Sequence, residues 1–397
     1  MSDARGAAVV PAVGAASATA CVRSLGARGI HTIAVSDADA PPAFASKYCD
    51  ETERVADPAA DPLGYRDDLL ALARRPEVET IYPLREPDVH LLSKYRDDFA
   101  EEVATLWPDF ETLRVAHDRR DLFELAADLD VPIPETTPLS EIDDWERERI
   151  VKARYALLTH DYVPEMGENE LESPPKTLYL EPGDTPDVAA IQDAMGHDPI
   201  AQSYVEGTEF TVRALYEDGE PVLTTQKRML RGYKYPRGPS VGHESVWIPE
   251  LERLTTRLLS ALDWHGMASV GYLRDAETGE FKLLEINPRY PASLPMDCHA
   301  GVEYPYYYWA LATDDRAAID PDYRIGTTSH LLRGELVHLY SVLFEDYPLA
   351  TKPSLPRTVR EMAASFVQHP RFDLLSTDDP GPFVRDTLNT VRSTLGN

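Results

Sequence analysis

The 397-residue chain has three cysteines, eight lysines and no apolar run long enough to cross a membrane. Cys21, Cys49 and Cys298 are odd in number, far apart and free of any CxxC pair, which argues against a disulfide framework and a cysteine zinc site. The N-terminal stretch MSDARGAAVVPAVGAASATA has no basic region leading into a long hydrophobic run, so no secretory signal is expected and a cytoplasmic location is. Positive charge is scarce as well: 39 Lys and Arg face 68 Asp and Glu, a formal charge of −29. A field of that sign repels nucleic acid and anionic membrane and removes both as expected partners. Acidic excess with so few lysines is the composition of a halophilic-type protein, whose surface stays soluble where screening is strong. Any site for an anionic substrate must then be locally basic. Also missing is the GxGxxG loop of dinucleotide-binding folds: PAVGAASATA places Gly14 where such a loop would sit, without the spacing. A nicotinamide-dependent oxidoreductase, which would bind its cofactor at Gly14, is disfavoured on that ground.

What is present describes a globular chain, 43% hydrophobic and 9% aromatic, long enough for two or three cores. Strand patterns at Ala7 to Val10, Ile30 to Ser36 and Glu79 to Leu84 alternate with helical ones at Ala15 to Arg28 and Leu63 to Arg75, which predicts a small parallel sheet. Asp118 is placed to cap a helix carrying Leu122, Leu125, Ala126 and Leu129. Strands are expected at Ile150 to Ala156, holding Lys152, at Lys176 to Leu180, and at Ile200 to Leu215 with a break at Gly207. The polar segment between the first two, with Gly167 and Pro174-Pro175, reads as a mobile loop. Thr224 to Arg237 is the one markedly basic stretch, and a helix from Pro249 to Leu262 follows with its leucines on one face. The residues beyond Asp314 read mainly as helices, at Gly334 to Glu345, Arg357 to Gln368 and Phe383 to Leu395.

The chemistry concentrates in Gly266 to Arg289, two apolar runs joined by Thr278-Gly279, a hairpin signature. Strand alternation sends Leu284 and Ile286 one way and Glu285 and Asn287 the other. A carboxylate and a carboxamide side by side on an otherwise apolar strand require hydrogen bonds or a cation. Oxygen-only ligation suits Mg²⁺, which in turn points to phosphate.

With Lys152, Lys176, the run IAQSYVEGTE and the motif EINPR in this order, the chain resembles the ATP-grasp carboxylate-amine ligases, most closely the group of predicted ATP-dependent carboligases. The resemblance spans nearly all of residues 1–310. It implies an α/β (α+β) ATP-grasp fold with a Rossmann-like pre-ATP-grasp domain at 1–115, an ATP-grasp domain of two lobes at 116–312, and a mainly helical segment at 313–397. Carried over residue by residue, it makes Lys152 and Lys176 the lysines that reach ATP phosphates. Gln202, Ser203 and Val205 fall at the adenine edge and Glu209 at the ribose hydroxyls. Glu285 and Asn287 become ligands of Mg²⁺ or Mn²⁺, and Arg289 neutralises the transferring phosphoryl group or the acceptor carboxylate. Lys227, with Arg228 and Arg231, either completes the phosphate cradle, holds an anionic substrate, or belongs to a solvated basic loop.

Two departures from the family pattern stand out. Gly271 occupies the position of a further acid on the partner strand, so either another acid such as Asp275 or Glu244 reaches the metal or the site holds fewer ions than its relatives. The loop over the phosphates carries the single Gly167. The implied activity is ADP-forming ligation of a small carboxylate to an amine, in a possible homodimer. The alternative is a nucleotide-binding protein of reduced catalysis, a sensor or partner subunit. Tyr304, Tyr306, Tyr307, Tyr308 and Trp309 read as core and rim, His243 and His299 as satisfied histidines, and Cys298 as no nucleophile.

Overall fold

A computed structural model describes residues 5–395. Its N-terminal sheet has the order β3-β2-β1-β4 and is parallel throughout, formed by β1 (Arg5–Pro11), β2 (Ile30–Ser36), β3 (Glu51–Arg54) and β4 (Val78–Ile81). α1 (Ala16–Gly26) and α2 (Pro62–Ala73) make the crossovers that parallel pairing requires. α1 lies close on the sheet because its inner face is small, with Ala16, Ala18, Ala20 and Cys21 buried. α2 starts where Asp61 accepts a hydrogen bond from the Gly64 N–H, with Pro62 in the first turn. β3 has no counterpart in the predicted elements: Glu51, Thr52, Glu53 and Arg54 are polar and mostly exposed, so no hydrophobic alternation marks them.

Helices α3 (Glu86–Lys94), α4 (Arg96–Ala100), α5 (Phe110–His117) and α6 (Arg119–Asp128) lead out of this sheet. Asp118 caps α6 as expected, accepting from the Arg120 N–H at 3.0 Å, and Arg154 anchors it from outside at 2.8 Å. A small antiparallel sheet follows in the order β5-β10-β6-β9, from β5 (Thr136–Pro138), β6 (Arg149–Lys152), β9 (Leu178–Leu180) and β10 (Ile200–Ser203). The expected loop between Lys152 and Lys176 is instead ordered: β7 (Leu158–Thr159) pairs with β8 (Leu171–Glu172) over a cluster of Leu158, Tyr162 and Val163. Asp161 ties this hairpin to α3 through Lys94 at 2.6 Å. α7 (Val188–Met195) then returns the chain to β10.

The large sheet runs β15-β14-β11-β12-β13-β16, every pair antiparallel. Its strands are β11 (Gly207–Glu217), β12 (Glu220–Lys234), β13 (Arg237–Val246), β14 (Gly266–Asp275), β15 (Phe281–Asn287) and β16 (Thr328–His330). The chain break precedes Gly207 rather than falling on it, at residues 204–206. α8 (Pro249–Ala261) packs Leu251, Leu254 and Leu258 against one face of the sheet, in a core with Trp264, Tyr216 and Tyr272. Gly266 has φ +87°, and a Cβ there would stand 2.1 Å from the Leu106 carbonyl oxygen, so only glycine lets β14 start against the N-terminal unit.

After β15 come α9 (Leu294–Ala300) and α10 (Tyr304–Ala312), whose tyrosines are core as predicted. Tyr308 stacks at a tilt on Tyr82, 4.8 Å between centroids, and donates to the Leu106 carbonyl, joining α10 to β4's end. α11 (Leu332–Phe344), α12 (Leu355–Gln368) and α13 (Gly381–Leu395) complete the helical C-terminal segment within a residue or two of the expected spans. Among the described residues no helix is long and apolar enough to cross a membrane.

Candidate functional site

Register in the large sheet assembles the site. Glu285 pairs with Gly271, Gly271 with Thr211 and Thr211 with Lys227, so these side chains share one face across four strands. One step along lies a second row, Asn287, Ser269, Arg213 and Thr225. Alternation along β15 is broken by a bulge: Tyr272 pairs with Leu283 and Gly271 with Glu285, which leaves Leu284 as the extra residue. Leu283 and Ile286 are therefore the core side chains, and Leu284 turns toward the cleft beside Glu285 instead of joining Ile286.

Between the two sheets lies a cleft of ≈ 260 Å³. Its apolar walls are Ile150 and Tyr179 on the small sheet and Met229, Leu273 and Leu284 on the large one. The connection Gln202 to Gly207 closes the back, and Lys152 and Glu209 stand at the inner end. Gln202 is fully buried; its Nε2 donates to Thr136 Oγ1 at 2.9 Å, and its Oε1 has no hydrogen-bond partner. A buried, unmatched acceptor on a residue that lines the cleft can be met by a planar ligand with an exocyclic N–H donor.

Beyond Lys152 the cleft meets a concentration of cations that the sequence reading only half anticipated. Arg119, at the start of α6, reaches Glu285 Oε2 at 3.5 Å while donating to the carbonyls of Ala153 and Tyr155. Arg289 donates to Asn287 Oδ1 at 3.2 Å and to Glu86 of α3 at 2.6 Å. Asn287 donates to Glu285 Oε1 at 3.0 Å. Burial alone would raise the Glu285 carboxyl, yet Arg119, the Asn287 amide, Lys152 and Arg289 together hold it below its ordinary value. Glu86 is likewise carried down to about 2, against its burial, by Arg289 and His117. The lysines move the other way. Burial and the Arg119 charge lower Lys152 to about 8, and burial and Arg213 lower Lys227 to about 7, with Glu209 countering in both. Burial raises Glu209 itself.

The predicted residues separate accordingly. Lys152, Gln202, Ser203, Val205 and Glu209 line one cleft. Glu285, Asn287 and Arg289 form a contiguous hydrogen-bonded group beyond Lys152, outside the cavity's own lining, and Lys227 lies three strands from Glu285 on the same face of the sheet. Lys176 is not brought in: it is exposed, two residues before β9, and Tyr179 occupies the wall instead. The solvated basic loop does not exist, because those residues form β12. Alternation buries Lys227, sends Arg228 out to Glu244 and points Arg231 to Glu335 on α11 at 2.6 Å. Arg119 is hidden in the sequence because the HDRRD run reads as a helix cap. Its signal is an arginine adjoining the capping Asp118.

Glu285 and Asn287 offer two hard oxygens, a set that fits Mg²⁺ completed by phosphate and water. Among the described residues no group of three or more His, Cys, Asp or Glu side chains could hold a metal ion by itself. Neither proposed substitute for an acid at Gly271 reaches the floor. Asp275 is bound to Lys282 at 3.0 Å and caps the hairpin turn, and Glu244 is paired with Arg228. A Cβ on Gly271 would find its nearest neighbour, Glu285 Cγ, at 3.6 Å, so the position is sterically open.

Lys227 is backed by a fully buried pair. Arg213 Nη1 donates to Asp297 Oδ1 at 3.1 Å and Nη2 to Ser293 Oγ at 2.6 Å, and Lys227 Nζ lies 3.5 Å from the same hydroxyl. His243, at 3.3 Å from Asp373, and His299, against the Phe372 carbonyl, are satisfied as expected. Burial raises the Cys298 thiol, which leaves it un-ionised near neutral pH.

Anionic oxygens favour the ammonium forms of Lys152, in the cleft, and of Lys227, farther along the row, and both are partly neutral in the free protein above pH 7. Nucleotide binding at pH 8 is therefore expected to take up protons, and affinity to fall as pH rises through the range about 7 to 9. Calorimetry in buffers of different ionisation enthalpy reads the uptake directly. Lys152→Met should reduce it and weaken nucleotide affinity about 10- to 100-fold, the range for a hydrogen bond to a charged group. Equal affinity in the variant would remove Lys152 from the site.

Residues 197–330 match the family model described as ATP-grasp in the biosynthetic pathway with Ter operon. No curated protein sequence matches the chain. Among solved structures it is similar to a Rhizobium etli pyruvate carboxylase, with a TM-score of 0.59, 17% identity and 82% of this chain covered. It spans only 29% of that protein's length. A biotin carboxylase–βγ-ATP complex from Campylobacter jejuni gives 0.58 at 16% identity, covering 81% of this chain and 74% of the other. An L-amino acid ligase from Bacillus licheniformis gives 0.57 at 13%, covering 81% and 78%. At these identities the likeness shows the fold, and that fold is ATP-grasp, as the motifs implied.

Proposed function

We propose that the protein is an ATP-dependent, ADP-forming ligase that joins a small-molecule carboxylate to an amine. The observation that carries this reading is the floor of the cleft. In a chain of net charge −29, Arg119, Lys152 and Arg289 gather around the Glu285–Asn287 pair, with Lys227 three strands away on the same face, next to a slot with an unmatched acceptor on Gln202. Such a site takes a planar base in the slot, ribose hydroxyls at Glu209 and phosphates over the cations.

In the proposed reaction a carboxylate oxygen attacks the γ-phosphorus and ADP leaves. The amine then attacks the acyl carbon of the acyl phosphate, loses a proton and expels inorganic phosphate. Arg119, Lys152 and Arg289 balance the charge that spreads over the phosphoryl oxygens, and Lys227 orients the carboxylate at the far end of the row. Glu285 and Asn287 would hold Mg²⁺, which supplies further neutralisation of the phosphates when bound. No side chain is asked to act as a nucleophile.

Oxygen-18 distinguishes this route. With a carboxylate–amine pair that supports ADP release, label in the carboxylate must appear in the inorganic phosphate. Label retained wholly in the product, or lost only to water, contradicts an acyl phosphate. Gly271 motivates a second reading, a nucleotide-binding protein of reduced catalysis, because it leaves Glu285 without an opposing acid. That reading predicts a melting shift with MgATP and no ADP release with any pair.

A further inference from the structure

One wall of the cleft comes from outside the matched residues 197–330. Besides the small-sheet residues that precede this region, the lining includes Tyr347, Pro348, Ala350 and Thr351, in the connection between α11 and α12 and C-terminal to the matched region, together with Gln202 and Met229 within it. The groups at the phosphate end, Glu285, Arg289 and Lys227, are not among that cavity's lining residues, so the segment stands at the nucleoside end.

The segment is fastened to the end of β12 and the turn after it. Lys234 Nζ pairs with Glu345 Oε1 at 2.5 Å, and the Tyr235 N–H donates to Ser341 Oγ at 3.0 Å. The Tyr347 N–H donates to Tyr235 Oη at 3.0 Å, and the two rings meet edge to face, 5.1 Å between centroids. Tyr347 donates its hydroxyl hydrogen to Glu345. Tyr235 and Pro236 line the cavity beside it. Between the lining residues Pro348 and Ala350, Leu349 adopts φ +65°, a left-handed conformation that a bulky side chain takes only where its surroundings impose it. The kink is what lets residues on both sides of it face the same cavity.

We propose that residues 345–351 are part of the nucleotide site: with Tyr235 and Pro236 they cover the nucleoside and hold it against the small sheet. This rests on the ATP reading above and adds residues to it that lie beyond the matched family region. It also makes α11 and α12 sensitive to occupancy, since the strap joins them.

The test is MgATP affinity by calorimetry, together with amide hydrogen exchange of 345–351 in the full-length protein. Tyr347→Ala should raise the dissociation constant about three- to tenfold, the equivalent of one lost aromatic contact, and should raise the KM for ATP more than it lowers kcat. Tyr235→Phe, which keeps the ring and loses the hydroxyl that anchors Tyr347, should fall between it and the unaltered protein. In the unaltered protein MgATP should slow exchange across 345–351, a readout that needs no variant to fold. If MgATP binds, with exchange unchanged and both variants binding as tightly as before, the proposal is overturned. Failure of the unaltered protein to bind MgATP at all would instead strike the ATP reading itself.

Discussion

Glu285→Gln lowers ADP formation at least about 10³-fold and leaves the protein folded, because the carboxylate is the anion that Arg119 meets and that Lys152 and Arg289 act on. Glutamine keeps the shape and an acceptor for the Asn287 amide, so the hydrogen bond at 3.0 Å has a replacement partner. What is lost is the charge. Arg119 then loses its carboxylate partner, Lys152 and Arg289 keep only Glu209 and Glu86, and a divalent cation meets two neutral amides. ATP phosphates still find the cations, so nucleotide affinity changes far less than turnover, and the melting temperature reports an intact fold. Retained ADP formation would remove Glu285 from the chemistry and with it the assignment of the metal position.

The largest stability effect is expected at a residue that the reaction does not touch. Asp297→Ala leaves the Arg213 guanidinium fully buried with no counter-charge and costs about 3–5 kcal/mol, read as a lower urea midpoint. The reverse change, Arg213→Met, costs less. Burial already raises the Asp297 carboxyl above its ordinary value, so once unpaired it takes up a proton, whereas a guanidinium has no neutral form to retreat to. The double variant Arg213→Met with Asp297→Leu is close to neutral, because an apolar pair of similar volume replaces a pair whose Nε and Oδ2 atoms have no partners. Equal losses in the two single variants would show that the pair's charges are not what sets its stability.

The strands, helices and much of the site could be read from residue pattern because they repeat local rules. Alternating apolar residues marked β1, β2 and β15, leucine spacing marked α8, and capping marked α6. Gly271 stands opposite Glu285, where the family resemblance puts it, and Asn287 pairs with Ser269. The failures share a cause, which is that partners far apart in sequence decide them. A bulge at Leu284 overrides alternation on β15, and nothing in FKLLEINPR announces it. Lys176 sits in a strand-like pattern, but the strand begins at Leu178, and Tyr179 takes the wall. The 153–175 segment looked mobile from its polar composition, yet Asp161 and Tyr162 dock it on Lys94 and His117, which only the fold brings near. Arg119 becomes a site residue solely because α6 starts over Glu285, and Tyr347 because the chain after α11 turns back to the end of β12.

In the proposed reaction this cleft spends ATP to activate a carboxylate for attack by an amine. That reaction is tested most directly by separating the nucleotides formed when MgATP, in high potassium chloride, meets a panel of carboxylates and amines. The account predicts ADP and inorganic phosphate in equal amounts, only when both a carboxylate and an amine are present, with one amide formed per ADP. AMP with pyrophosphate, or ADP released at one rate whatever is added, would contradict it.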